Sequence, residues 1–178
     1  MDDVLALLAR LTDGAPLPTG ASADDVRGFE ARTGLTLPGE VVSWLQRVNG
    51  ALVPPGNVFG LRDAEDFLSI EHYLRIFPDW AGLGWVPIAG DGNGDYWVVF
   101  RRDAAGGAGG ERVWVGFVDA QEGFDAIDQI VAGSVLSFLR FLFEGELADD
   151  DRWPYDADYV LARDPELAQA PSDLLPWR

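Results

Sequence analysis

The order in which the hydropathy pattern changes period predicts an α+β fold with an antiparallel sheet. Three observations carry that expectation. Over the first fifty residues apolar side chains recur at helical spacing. Between 85 and 118 they run in short blocks divided by glycine-rich stretches, and from 134 the helical spacing returns. Segregated runs of helix and strand favour an antiparallel sheet over the alternating pattern that builds a parallel one. With 178 residues, 48% apolar and including seven tryptophans and ten phenylalanines, the chain can bury one substantial core, so global disorder is excluded and a single domain over 1–178 is expected.

Val4, Leu5, Leu7, Leu8 and Leu11 define a first short helix, with Asp2 and Asp3 at the end where the helix dipole favours anions. Gly14 to Gly20, carrying Pro16 and Pro18, is a loop. Ser22-Ala23-Asp24-Asp25 reads as a capping box opening a second helix, whose apolar face is Val26 and Phe29 and whose stop is Gly34. Leu37-Pro38 opens a third helix with Val41, Leu45 and Val48 as its stripe, and Asn49-Gly50 is expected to end it. Ala51-Leu52-Val53 and Val58-Phe59-Gly60-Leu61 are short strand candidates around Pro54-Pro55-Gly56. Asp63 is expected to cap a fourth helical segment carrying Phe67, Ile70, Leu74 and Phe77, stopped by Pro78.

Trp85-Val86-Pro87-Ile88-Ala89 reads as a strand in which Pro87, lacking an N–H, marks an edge or a bulge. Gly90 to Asp95 is a turn, and Tyr96-Trp97-Val98-Val99-Phe100 is the strongest strand signal in the chain. A glycine-rich loop follows at 104–110, then a further strand at Val113–Val118. Ser134 caps a last long helix with Val135, Phe138, Leu139, Leu142 and Phe143. From Glu144 to Arg178 ten acidic residues face three arginines, yet Trp153, Tyr155, Tyr159, Leu161 and Leu167 supply enough apolar surface for part of the segment to pack as a helix.

Charge narrows the function. Thirty acidic residues against thirteen basic ones, all arginine, give a net charge of −17. Such a surface repels phosphate, which argues against nucleic acid or an anionic membrane as partner and suits a basic protein. There is no cysteine, which removes thiolate, iron–sulfur and cysteine–zinc chemistry, and no lysine for a Schiff base or a phosphate loop. His72 is the only histidine, and as a lone residue on a helical segment it reads as a surface or helix-edge side chain. The acidic start and the short apolar run Val4–Ala9 resemble neither a signal peptide nor a membrane span, so a cytoplasmic location is expected, with no cofactor and no metal.

Asp91-Gly92-Asn93-Gly94-Asp95 resembles the opening of a calcium loop, but the sixth position is Tyr96, the twelfth is Arg102 and a strand follows, so it reads as a hairpin turn. A hydrolase using two carboxylates or a bound cation stays open, although no spacing singles out a pair. Trp85 and Trp97 read as core. Trp80, between Pro78 and Gly82, is the tryptophan expected at the surface. Aromatics beside acids anchor arginine- or lysine-rich partners, which makes Glu71, Asp79, Trp80, Asp91 and Asp95 the candidate contacts, with the acidic C-terminal tail as a second candidate surface.

Three of these segments taken in order resemble the SUKH superfamily, the family of the yeast Smi/Knr cell-wall regulators. The first is Leu37-Pro38 with a helix closed by Asn49-Gly50; the second is Trp85–Ala89 followed by the turn with its Gly94-Asp95 pair; the third is Ile130–Val135 leading into Phe138-Leu139. The resemblance covers about 22–147 and leaves 148–178 as an acidic, partly helical extension. It implies a central antiparallel sheet surrounded by helices, and Leu37, Pro38, Asn49, Gly50, Ile88, Gly94 and Asp95 as structural motif positions. It departs at Val99-Phe100, where the family's second strand usually ends in an acid, and at the 104–110 loop, which looks like an insertion. It also implies a non-enzymatic protein-binding domain with no catalytic residue to carry over. The resemblance implies that bacterial members are typically immunity proteins that neutralise polymorphic toxins, many of them nucleases, and the alternative is a regulatory interaction module with no toxin partner.

Overall fold

The computed structural model describes residues 1–63, 66–102, 112–119 and 121–177. The glycine-rich loop expected at 104–110 lies outside the described residues. The helices before the sheet are α1 (Asp2–Leu11), α2 (Ala23–Thr33), α3 (Gly39–Leu45), α4 (Ile70–Ile76) and α5 (Asp79–Leu83). The strands are β1 (Val86–Gly90), β2 (Tyr96–Arg101), β3 (Val113–Val118) and β4 (Gln129–Ala132). The helices after it are α6 (Val135–Ala148) and α7 (Ala157–Arg163), followed by 3₁₀ turns at Pro165–Gln169 and Ser172–Leu174. The sheet runs β1-β2-β3-β4 with every neighbouring pair antiparallel, so the fold is α+β as the sequence predicts.

Several elements form for the reasons their residues suggest. Ser22 Oγ accepts from Asp25 N–H while the Asp25 carboxylate accepts from Ser22 N–H at 2.7 Å, completing the capping box of α2. Gly34 ends that helix at φ 71°, a conformation glycine adopts without a Cβ penalty. Register slips between Pro87 and Ala89, the bulge its missing N–H calls for. Ser134 caps α6 by accepting from Ser137 N–H at 3.0 Å.

Four expectations are corrected. The third helix stops at Leu45 rather than at Asn49-Gly50. Asn49 instead clamps a neighbouring segment, its Oδ1 accepting from Leu61 N–H at 2.5 Å and its Nδ2 donating to Leu61 O at 3.3 Å. Of that pair only Gly50 takes a positive φ. The strand candidates at 51–53 and 58–61 form single bridges, Ala51 with Val58 and Val58 with Ala89. The fourth helix begins at Ile70, because the Asp66 carboxylate binds its own backbone at Leu68 N–H and holds Arg62, and this local turn competes with helix. Phe67 consequently lies outside the helix and is exposed. Finally, Ile130-Val131-Ala132, read as the approach to α6, is the strand β4.

Strand alternation sorts the core. Tyr96, Val98 and Phe100 lie opposite Val118, Gly116 and Trp114, while Trp97 and Val99 lie opposite Phe117 and Val115. α6 covers the Trp97 side through Phe138, at a ring separation of 5.5 Å, and α1 packs along α6 through buried Val4 and Leu8. The C-terminal segment is ordered: Val160, Leu167 and Ala170 join Trp114, Ile130 and Phe141 in a second core cluster. α4 and α5 gather instead at the Tyr96 end of the sheet.

Candidate partner-binding face

The β1–β2 turn is built on one carboxylate. Asp91 Oδ1 accepts from the N–H groups of Asn93, Gly94 and Asp95 at 2.8, 3.1 and 3.0 Å, and Asp91 Oδ2 accepts from Asn93 Nδ2 at 3.1 Å. Gly92 and Gly94 take φ of 83° and 111°, which the tight path requires. A second loop lies flush against it, since a Cβ at Gly56 would stand 2.0 Å from Gly92 N. Asp91 is thus occupied in holding the turn. Asp91→Ala is expected to cost about 1–2 kcal/mol by orphaning three backbone donors, read as a lower urea midpoint at unchanged slope.

Beside the turn, Tyr96 enters an aromatic cluster drawn from four segments. Its ring centroid lies 5.1 Å from Tyr73, 5.3 Å from Phe77, 5.7 Å from Trp80 and 6.3 Å from Phe124. Phe77 stacks on Trp80 at 4.3 Å and meets Phe124 at 4.4 Å, and Tyr73 stacks on Phe59 at 4.2 Å. Burial pushes the Tyr73 hydroxyl up to about 12. Burial also raises the Tyr96 hydroxyl, with the negative charges of Asp91 and Asp95 acting in the same direction. Both phenols therefore stay protonated at neutral pH.

The sequence-named contacts divide on this geometry. Trp80, expected at the surface, is fully buried, and its indole N–H donates to Phe124 O at 2.7 Å. The reason is local: 79–83 is helical, and its one turn directs the indole into the cluster. Asp79 is exposed at the start of α5, and Asp91 and Asp95 flank Tyr96. Glu71 stands apart. It accepts from Arg32 at 2.9 Å and from Arg75 at 3.1 Å, and two residues' separation from Tyr73 turns it to the other side of α4. The structure thus gathers Asp79, Trp80, Asp91 and Asp95 around one cluster and leaves Glu71 outside it.

Phe124, with Glu122 and Asp125 on either side, escaped the sequence reading. One aromatic inside the polar stretch Gln121–Asp125 was the available signal. The motif positions take structural roles. Leu37 is buried and its N–H donates to Glu30 at 2.9 Å, Pro38 directly precedes α3, and the Ile88 carbonyl accepts from Phe59 N–H at 2.8 Å. Among the described residues no group of three metal-ligating side chains comes together, and no helix is long and apolar enough to cross a membrane.

Residues 20–140 match the SMI1/KNR4 family (SUKH-1). The chain belongs to this family. No curated protein and no solved structure matches it. The SUKH domains are broadly of immunity-protein type and generally non-catalytic. The aromatic cluster from Phe59 to Phe124 falls wholly within the family-matched region, whereas α1, α7 and the 3₁₀ turns fall outside it.

Proposed function

We propose that this SUKH-family protein is a cytoplasmic immunity protein, which binds a cognate toxin and blocks it without chemistry of its own. Family membership is the observation that carries this reading. The net charge of −17 supports it, because toxins that act on nucleic acid carry basic grooves and an acidic inhibitor complements them. Co-expression with the toxin encoded beside it is expected to restore growth of a susceptible host. Failure to rescue, with stable binding to a housekeeping protein instead, would leave the regulatory-module reading in its place.

Steering by so large a charge has a kinetic signature. Association with the isolated toxin is expected to slow at least about tenfold between low and high salt, while dissociation changes far less. Stopped-flow mixing measures both. An association rate indifferent to ionic strength would remove charge from the recognition step.

A further inference from the structure

We propose that the partner docks on the surface formed by Ile76, Asp79 and Leu83 together with Glu122 and Asp125, and that the segment received there is cationic, an arginine- or lysine-bearing stretch of another protein with apolar neighbours. The proposal rests on the protein-binding reading above and assigns that function a place.

One hydrogen bond brings the pieces together. Trp80 follows Asp79, and its indole N–H donates to the carbonyl of Phe124, which lies between Glu122 and Asp125. Phe77 packs on the same Phe124 ring at 4.4 Å and adjoins Ile76 in the chain. Asp79 and Leu83 stand four residues apart in α5, hence on one side of its single turn. Ile76 and Leu83, on the same 76–83 stretch as Asp79, are each 51% exposed, so this stretch presents two large apolar side chains as well as a carboxylate to solvent.

The arginines leave the negative charge of this surface in place. Several acids are neutralised: Asp2 by Arg47, Asp3 by Arg140, Asp24 by Arg27, Asp66 by Arg62, Glu71 by Arg32 and Arg75, Asp150 by Arg152 and Glu166 by Arg102. Asp79, Glu122 and Asp125 have no arginine partner among the described residues. The apolar surface around Trp114, Ile130 and Phe141 is already covered by the chain's own C-terminal segment. Uncompensated negative charge beside exposed apolar side chains fits a basic, partly apolar segment, with its charges steering approach and its apolar groups holding contact.

The full chain, labelled with ¹⁵N, supplies two reporters. The Trp80 indole lies under the proposed surface, and the Trp153 indole, which donates to Val131 O at 3.0 Å, lies under the C-terminal segment. Titration with a nine-residue oligoarginine peptide at low ionic strength is expected to shift the Trp80 signal and leave that of Trp153 in place. The triple variant Asp79→Asn, Glu122→Gln, Asp125→Asn is expected to weaken the peptide about tenfold. The matched triple Asp149→Asn, Asp151→Asn, Asp158→Asn on the C-terminal segment is expected to weaken it less than about twofold. All six positions are exposed, and the indole spectrum of the free variants reports that the fold is retained. Equal weakening by the two triples, or movement of Trp153 in place of Trp80, overturns the assignment. The readout needs no toxin, so it stands apart from growth rescue. Rescue that persists undiminished in the first triple variant sinks this surface and leaves the immunity function intact.

Discussion

Trp80→Ala is expected to destabilise the protein by about 3–5 kcal/mol, the range for truncating a fully buried tryptophan, with a matching fall in the urea midpoint. Three losses combine. The ring leaves a void between Phe77 and Tyr96, which contact it at 4.3 and 5.7 Å. The Phe124 carbonyl loses the indole donor that holds the 121–125 stretch against α5. Trp85, whose ring lies 6.3 Å away, loses a neighbour at the start of β1. Trp80→Phe separates these terms: it retains most of the packing and removes the donor, and a cost of about 1–2 kcal/mol is expected. A surface tryptophan would tolerate either change within about 0.5 kcal/mol. A small effect of Trp80→Ala on denaturation would therefore contradict the buried placement.

That same residue shows where sequence reading stops. The capping box at Ser22, the bulge at Pro87, the hairpin turn and the cap at Ser134 were legible because each depends on residues within four positions of one another. The pattern around Trp80 depends on Phe124, forty-four positions away, and Pro78 and Gly82 suggested a loop where one helical turn forms. The failure at Asp63 is of the same kind in reverse, since the Asp66 turn delays the helix to Ile70 by bonds that look, in sequence, like helix capping. The candidate site was half legible. Charge pointed to Asp79, Asp91 and Asp95, but which of them is spent on structure is settled by three backbone N–H groups on Asp91. That Glu71 is neutralised is settled by Arg32 of a different helix as well as by Arg75 one turn along its own.

Arg102→Ala is expected to have the second large effect, about 3 kcal/mol at neutral pH, because it removes the cation that Glu40, Asp164 and Glu166 share. Arg102 lies over Trp114, 3.6 Å from the ring centroid, and donates to Val113 O, Gly133 O and Glu166. Glu40 and Asp164 lie close by, accepting from Val135 N–H at 2.9 Å and Gly133 N–H at 2.7 Å where α6 begins. Burial raises both of these carboxyls above the ordinary carboxylate range; those backbone bonds and Arg102 oppose the rise, and the charge of Glu166 adds to it. The sign of the pH dependence follows. A carboxyl whose folded value is raised binds its proton more readily in the folded state, so its contribution to stability is complete below the unfolded value and is lost as pH climbs through the folded one. Asp66 runs the other way: hydrogen bonds from Leu68 and Arg62 lower its carboxyl, and its contribution is lost as pH falls through that lowered value. Stability from these groups is therefore expected to peak between the lowered value of Asp66 and the raised values of Glu40 and Asp164. Without Arg102 the raised carboxyls rise further, so the gap between Arg102→Ala and the parent chain should be widest where both carboxyls are ionised and should narrow as pH falls through their raised values. Urea unfolding as a function of pH measures it. A gap that stays constant would mean the arginine acts through its stacking on Trp114 and not through its charge.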